Sequence, residues 1–492
     1  MHAMESIVAG SAAAHESARA HVTGAARFID DLPLPAGTLH AAPVLSPVAH
    51  GRLLGIDAQA ALAMPGVVTL VTAQDIPGDR RFASFTHDEP ILADGEVHHV
   101  GQVVALVVAV SHRLARQAAA QVRCRIEPLP AVLDIAQALA ADAQVLPTVR
   151  LTRGDTASAL AASAHQISGE FTVGGQEHFY LEGQVALALP QEGQGWLVHA
   201  ASQHPGEVQH WVAHAMGLPL HAVQVVCRRM GGGFGGKETQ AGHQAVWAAL
   251  AARKTGRPVK LRLDRDDDFM ITGKRHNFLY RYTAGFEADG RLRALRLFMA
   301  SQCGFSADLS GPVNDRALSH IDNAYFLEHL EVASVRCRTN TQSNTAFRGF
   351  GGPQGMILIE AVLGDIARHL GLDPLAVRQR NLYGEAPRNT TQYGMTVEDN
   401  IAPELIAELA RDCRYAERRA AIAAWNAANP RLKRGLALTP VKFGISFNAT
   451  QFNQAGAVVS VYTDGSVLVN HGGTEMGQGL HTKICQIVAD EL

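Results

Sequence analysis

Met230-Gly231-Gly232-Gly233-Phe234-Gly235-Gly236-Lys237-Glu238 sets five glycines into six positions around one aromatic ring. Glycine lets a backbone come close to a ligand and take positive φ, at a cost in chain entropy, so such a run needs a reason. Upstream, Ala222-Val223-Gln224-Val225-Val226-Cys227 reads as a buried strand. Downstream, 238–254 reads as a helix with Val246, Trp247 and Leu250 on an apolar face, stopped by Gly256 and Pro258. Strand, glycine loop and helix start together predict an anion site, where free amides and the helix dipole converge.

Two nucleotide fingerprints overlap this run. The pattern G-x-x-x-x-G-K-S/T fails at its last position. There Glu238 replaces the Mg²⁺-binding hydroxyl and would repel a phosphate. Gly231, Gly233 and Gly236 satisfy G-x-G-x-x-G, and Asp264 follows the next predicted strand, 259–263. A Rossmann-type nucleotide module therefore stays open locally, although so glycine-rich a run matches that pattern easily.

At about 100–200 residues per domain, 492 residues predict about three domains. A hydrophobic content of 47% with 18% charged residues is that of a large globular protein. A net charge of −3 offers no field for nucleic acid or an anionic membrane. Residues 1–23 lack a basic segment followed by an apolar one, so no secretory signal is read. The apolar run 100–110 is too short to span a bilayer and reads as a buried strand. The six cysteines are widely separated and form no C-x-x-C, and the 23 histidines form no H-E-x-x-H. Reduced, buried thiols in a cytoplasmic protein are expected, and a metal here must bring its own ligands.

In chain order, 1–19 reads as a tail and 20–126 as a compact α/β unit. Residues 127–150, rich in Ala, Pro and Leu, read as a surface connector. A second unit covers 151–399. Within it, Gly175-Gln176-Glu177-His178-Phe179-Tyr180-Leu181-Glu182 precedes an apolar strand, as either a satisfied core network or the wall of a pocket. Gln203 falls in a strand-to-helix crevice, a common ligand position in α/β structure. Arg316 lies in a stretch with few other cues. Thr345-Ala346-Phe347-Arg348-Gly349-Phe350-Gly351-Gly352-Pro353 is a second glycine loop, with Pro353 suited to the first turn of the next helix. A third unit, 400–492, carries Ser446-Phe447-Asn448 and a third glycine loop, 472–479, before an apolar helix in which the sequence ends. Three glycine loops, each before a helix, predict one large anionic cofactor held by backbone amides.

Four stretches in this order, 176–182, 230–238, 345–353 and 472–479, resemble the molybdenum-cofactor subunit of the xanthine dehydrogenase and aldehyde oxidase family. The similarity runs from about residue 20 to the end. It implies a mixed α/β (α+β) fold: an α/β hammerhead domain over 20–126, then molybdopterin-binding domains, the last incomplete. It further implies that Gln203 and the backbone at Gly233 and Phe234 face the apical oxygen of molybdenum, and that Arg348 and Gln478 contact the pterin. Phe350 and Phe447 match two rings that hold a flat purine between them, and Glu238 and Arg316 match a polar pair that reads its edge. The metal itself is held by the cofactor's dithiolene sulfurs, with no ligand from this chain.

The chemistry of these residue types agrees. Two phenyl faces stack on any planar ring, so discrimination falls to polar groups at the rim. A guanidinium favours an oxygen on which negative charge develops. Aldehyde oxidases carry apolar residues at the positions of Glu238 and Arg316, so this pair implies a purine. The implied reaction hydroxylates hypoxanthine or xanthine to urate with oxygen from water. Its electrons pass to 2Fe–2S clusters and FAD in a partner subunit of a higher oligomer, and on to NAD. Alternatives are an aldehyde or other N-heterocycle hydroxylase of the same family, or the nucleotide module. The chain is expected to be truncated and inactive alone, because the family's base glutamate lies beyond the matched region. Asn448 departs from the family's threonine after the phenylalanine, beside the substrate site.

Overall fold

The computed structural model describes residues 8–82 and 84–492, so the first seven positions of the expected tail lie outside the described residues. The predicted boundary between the first two units is crossed by a seven-stranded sheet. Its order is Val223–Val226, Trp196–Ala200, Val185–Pro190, Val259–Arg262, Leu39–Leu45, Val103–Ala109 and Val67–Val71. The seam is a short parallel pairing, Leu39↔Val259 to Ala41↔Leu261. Val103–Ala109 is buried along its whole length, which is why its sequence is continuously apolar rather than alternating.

Under this sheet lies the helix Ala241–Thr255, ended by Gly256 in the left-handed conformation at φ 65°. It is buried on all sides from Ala241 to Ala252, not on one apolar face as expected. It also starts later than the predicted 238, because Lys237, Thr239 and Gln240 turn their side chains into buried polar contacts first. The glycine run therefore does not open directly onto a helix N-terminus, and the Rossmann geometry is absent here.

A five-stranded sheet forms the second body, in the order His165–Val173, Phe278–Phe286, Leu292–Gly304, His329–Arg338 and Gln144–Arg153. The helix Gly352–Leu370 covers it, with Pro353 in its first turn as expected. Residues 127–150 are not a surface connector throughout. They contain the helix Ile135–Ala140 and most of the edge strand, whose Leu151 faces Val332. The stretch 400–438 likewise joins this second core through Ile406, Tyr415 and Leu438. What remains of the third unit is the hairpin Ala457–Val461 with Val467–His471 and the helix Leu480–Glu491. The tail docks on that helix, with the Glu16 amide donating to Thr482 Oγ1 at 2.8 Å and Gln486 Nε2 to the Val8 carbonyl at 2.7 Å. No helix among the described residues is long and apolar enough to cross a membrane.

Candidate functional site

The site is built from the first glycine loop upward. Beneath it, Lys237 is fully buried and donates to the Glu182 carbonyl at 2.7 Å. Glu182 Oε2 in turn accepts from the Gly231 amide at 2.8 Å. Tyr180 donates to Asp268 at 2.8 Å, and His178 Nε2 contacts the Ala346 carbonyl at 2.7 Å. The 176–182 stretch thus contributes a buried network under the loop, in which His178 Nδ1 and Glu182 Oε1 lack a hydrogen-bond partner among the described residues. Burial lowers the His178 pKa to about 4, so the ring is neutral.

Gln203 sits between the strand Trp196–Ala200 and the helix Pro205–Met216, as its sequence context predicts. Its Oε1 accepts the Gly235 amide at 2.9 Å and the Lys237 amide at 3.3 Å. Only the oxygen can accept from backbone amides, so the carboxamide nitrogen is turned to the open side. A Cβ on Gly233 would lie 2.5 Å from that oxygen, and one on Gly235 (φ 99°) would lie 2.7 Å from the Ala346 carbonyl. Between them Phe234 is held at φ 56°, unfavourable for a bulky residue, and the residue is 43% exposed. Its carbonyl accepts the Arg348 amide at 2.8 Å, joining the first loop to the second, while its own amide donates to nothing among the described residues.

The third loop behaves differently from expectation. Glu475 is 2% exposed and accepts the Gly477 and Gly479 amides at 2.8 and 3.1 Å and the His481 amide at 3.4 Å. These amides outweigh the cost of burial and hold its carboxyl at about 2. The helix start that was to bind a ligand is thus filled by the chain's own carboxylate. The Glu475 carbonyl accepts the Met230 amide at 3.0 Å, tying this loop to the first. Gln478 spends both ends of its carboxamide inside the loop, on the Thr474 carbonyl and the Met476 amide, each at 2.8 Å.

The three loops nevertheless line one cleft of about 630 Å³, walled by Gln203, Phe234, Gly235, Arg348 and Gln478 among others. The Arg348 guanidinium is exposed there with no ion-pair partner among the described residues. A free amide, a carboxamide nitrogen and an unpaired guanidinium facing one cleft suit an anionic cofactor.

Continuous with it is a second cavity of about 730 Å³, lined by Gln203, Glu238, Arg316, Phe350 and Phe447. Sequence elements 244 positions apart, from Gln203 to Phe447, meet here. Glu238 is partly buried, and its carboxyl is raised to about 7, first by burial and then by Glu207 and Asp308, against His204 and Arg316. Asp308 stands behind it, also at about 7, raised by burial and by Glu89 and hydrogen-bonded by Thr239 at 3.1 Å. Arg316 is 5% exposed, and burial lowers its pKa against the pull of Glu238. Its terminal nitrogens donate to the carbonyls of Gly444 and Ser446, its Nε has no partner, and its charge lies 5.6 Å from the Phe350 ring.

Phe350, at φ 49°, and Phe447 meet edge to face, with centroids 5.5 Å apart and planes at 74°. This differs from the expected pair of parallel faces. A stacked ring needs roughly 7 Å between such faces, at about 3.5 Å per contact. Phe447 would have to turn on its loop, where Asn453 accepts its amide at 2.8 Å. Asn448 donates to Ser319 Oγ at 3.0 Å, away from the rings. Sequence reasoning missed Asp308, Glu475, Glu207 and Phe443, whose ring lines the same cavity 5.3 Å from the Arg316 charge. Only Glu475, a lone acid within a glycine loop at a helix start, left a legible signal.

The comparisons with known proteins agree with this geometry. Two stretches match models described as molybdopterin cofactor-binding domains, residues 140–382 and 408–492. Residues 23–130 match the aldehyde oxidase and xanthine dehydrogenase a/b hammerhead domain. The chain is 45% identical over 485 residues to xanthine dehydrogenase 1 of Arabidopsis thaliana, covering 98% of this chain and 35% of that protein. It is 42% identical over 479 residues to xanthine dehydrogenase/oxidase of Gallus gallus, covering 97% and 35%. The structure of quinoline 2-oxidoreductase from Pseudomonas putida 86 superposes with a TM-score of 0.88 at 27% identity, covering 98% of this chain and 64% of that one. The chain thus spans about a third of the length of the curated relatives it matches.

Proposed function

The chain belongs to the aldehyde oxidase and xanthine dehydrogenase family, as its hammerhead and molybdopterin-binding portion, and on that premise we propose that it serves a purine hydroxylase converting hypoxanthine and xanthine to urate. The observation that carries this reading is the meeting of Glu238 and Arg316 in one cavity that also holds Gln203, Phe350 and Phe447. An apolar substrate would gain nothing from a carboxyl and a guanidinium that are both costly to bury.

The molybdenum cofactor fits the adjoining cleft. Gln203 Nε2 and the Phe234 amide would donate to it, Arg348 would offset its negative charge, and Gln478 would border the pterin. Bound there, it would supply the oxidising centre at which oxygen from water enters the heterocycle. The chain's own residues do the rest. Glu238, protonated or ionised near neutrality, donates to or accepts from a ring nitrogen. Arg316 faces a carbonyl oxygen on the opposite rim and favours the charge that builds there. Phe350, with Phe447 turned alongside, holds the ring flat and keeps water from its faces.

The relatives are about three times longer than this chain. We therefore assign the onward electron path, through 2Fe–2S clusters and FAD to NAD, to other polypeptide in the same higher oligomer. The six unpaired cysteines support a cytoplasmic location. A second reading, hydroxylation of another N-heterocycle, is favoured by the match to the quinoline enzyme. Turnover of xanthine, quinoline and an aromatic aldehyde by the purified complete enzyme separates the readings. Xanthine should lead in kcat/KM by at least about tenfold, an amount one good polar contact supplies. A lead for quinoline or the aldehyde would overturn the purine reading.

A further inference from the structure

In the first body, a small sheet pairs Gly51–Asp57 with Glu96–Val97 and Arg123–Pro128. Its antiparallel register sets Gly51 opposite Val97, so His50 and His98 come to face each other. Glu96 lies two positions before His98, on the same face. His50 Nε2 lies 2.8 Å and His98 Nδ1 3.6 Å from the same oxygen, Glu96 Oε1, and one ligand atom from each residue lies within 4.8 Å of the others.

His50 Nδ1 is 2.6 Å from the Pro130 carbonyl, to which it must donate because a carbonyl only accepts. Glu96 Oε1, 2.8 Å from the ring's other nitrogen, is then held either by that nitrogen's proton, in the doubly protonated ring, or by a metal cation that takes the proton's place. An imidazole whose far N–H is fixed by a carbonyl is the usual arrangement of a metal-binding histidine. Two imidazoles and one carboxylate with an open fourth position make a zinc-type donor set, at bond lengths of about 2.0–2.2 Å. We propose that His50, Glu96 and His98 bind one Zn²⁺ ion, independent of the molybdenum chemistry, which clamps the small sheet to the body of the protein. The clamp has a mechanical sense. His98 stacks on Phe305 at 5.4 Å, and its carbonyl accepts from Asn340, which also holds the Val132 amide at 2.9 Å.

The test uses the protein in the assembly in which it purifies, stripped with a chelator and titrated with Zn²⁺ against a chromophoric competitor. One tight equivalent per chain is expected, not displaced by Mg²⁺ or Ca²⁺, which prefer all-oxygen sites. His50→Ala and Glu96→Gln should each weaken it by at least about tenfold. Zn²⁺ should raise the thermal midpoint of the wild type alone. If His50→Ala does not fold, Glu96→Gln, which changes one atom, decides. Equal affinity and stoichiometry in wild type and Glu96→Gln, or no equivalent surviving the competitor, would overturn the proposal.

Discussion

Lys237 lies completely buried under the first glycine loop and pairs with Glu182, 2.7 Å from its carbonyl and 3.3 Å from Oε2. The lysine that ends a nucleotide-like fingerprint is therefore directed away from the cleft. Burial lowers its pKa while Glu182 opposes the shift. Its work is to hold the loop from below.

Lys237→Met should cost about 3–5 kcal/mol, the usual loss when one partner of a buried ion pair is removed. Denaturant unfolding measures it. The variant should also lose molybdenum, because the Gly231 amide and the Lys237 nitrogen share the same glutamate. ATP and NAD should not bind at micromolar concentrations in calorimetry. A stable variant that keeps its cofactor, or micromolar ATP binding by the wild type, would contradict this role.

Glu475 fixes the third loop through three amides. Glu475→Ala leaves those donors poorly satisfied, at a cost of about 1–3 kcal/mol. The loop then loosens from Met230, and the pterin content of the purified enzyme should fall. Glu475→Gln keeps one acceptor and should recover part of both losses. Because the folded carboxyl lies at about 2 instead of 4.5, its contribution to stability is present above pH 4.5 and is lost between about 4.5 and 2. Glu475→Gln should flatten that portion of the acid unfolding curve.

The Glu238 carboxyl lies at about 7 instead of 4.5, so the folded protein keeps a proton that the unfolded chain has released. This contribution to stability is greatest below pH 4.5, falls as pH rises to about 7, and then levels. Glu238→Gln should gain about 2 kcal/mol on wild type between pH 4.5 and 8, after discounting for its partly exposed edge. In the complete enzyme, kcat/KM for xanthine should show a limb near pH 7 that is absent in the variant. Asp308 titrates in the same range and repels Glu238, so the two behave as a pair. Asp308→Asn should move the limb to lower pH. An unmoved limb in both variants would assign it to another group.

The glycine loops, the Gln203 crevice and several strands of the first sheet were legible because local pattern determines them, whereas no strand of the second sheet was read from the sequence. Val103–Ala109 is apolar throughout since both its faces are covered. The seam Leu39↔Val259 was not legible, because pairing across more than two hundred residues leaves no local trace. Residues 127–150 read as a connector because an edge strand half exposed to solvent carries little hydrophobic pattern. Amide destinations were hidden too. The sequence shows glycines, but not that Glu182 takes the Gly231 amide, Gln203 that of Gly235, and Glu475 those of Gly477 and Gly479. The stacking slot differs from its expectation because two half-buried phenyl rings attract each other edge to face.

The central claim is that Glu238 and Arg316 read a purine edge. Its most direct test is the ratio of xanthine to aromatic-aldehyde turnover in the complete enzyme, for wild type, Arg316→Met and Glu238→Val, with molybdenum content measured in each. Arg316→Met should lose about 10²–10³ in kcat for xanthine, while Glu238→Val should raise KM as well as slow the rate. Aldehyde turnover should be spared or improved in both. An unchanged ratio in both variants at full molybdenum loading would contradict the account.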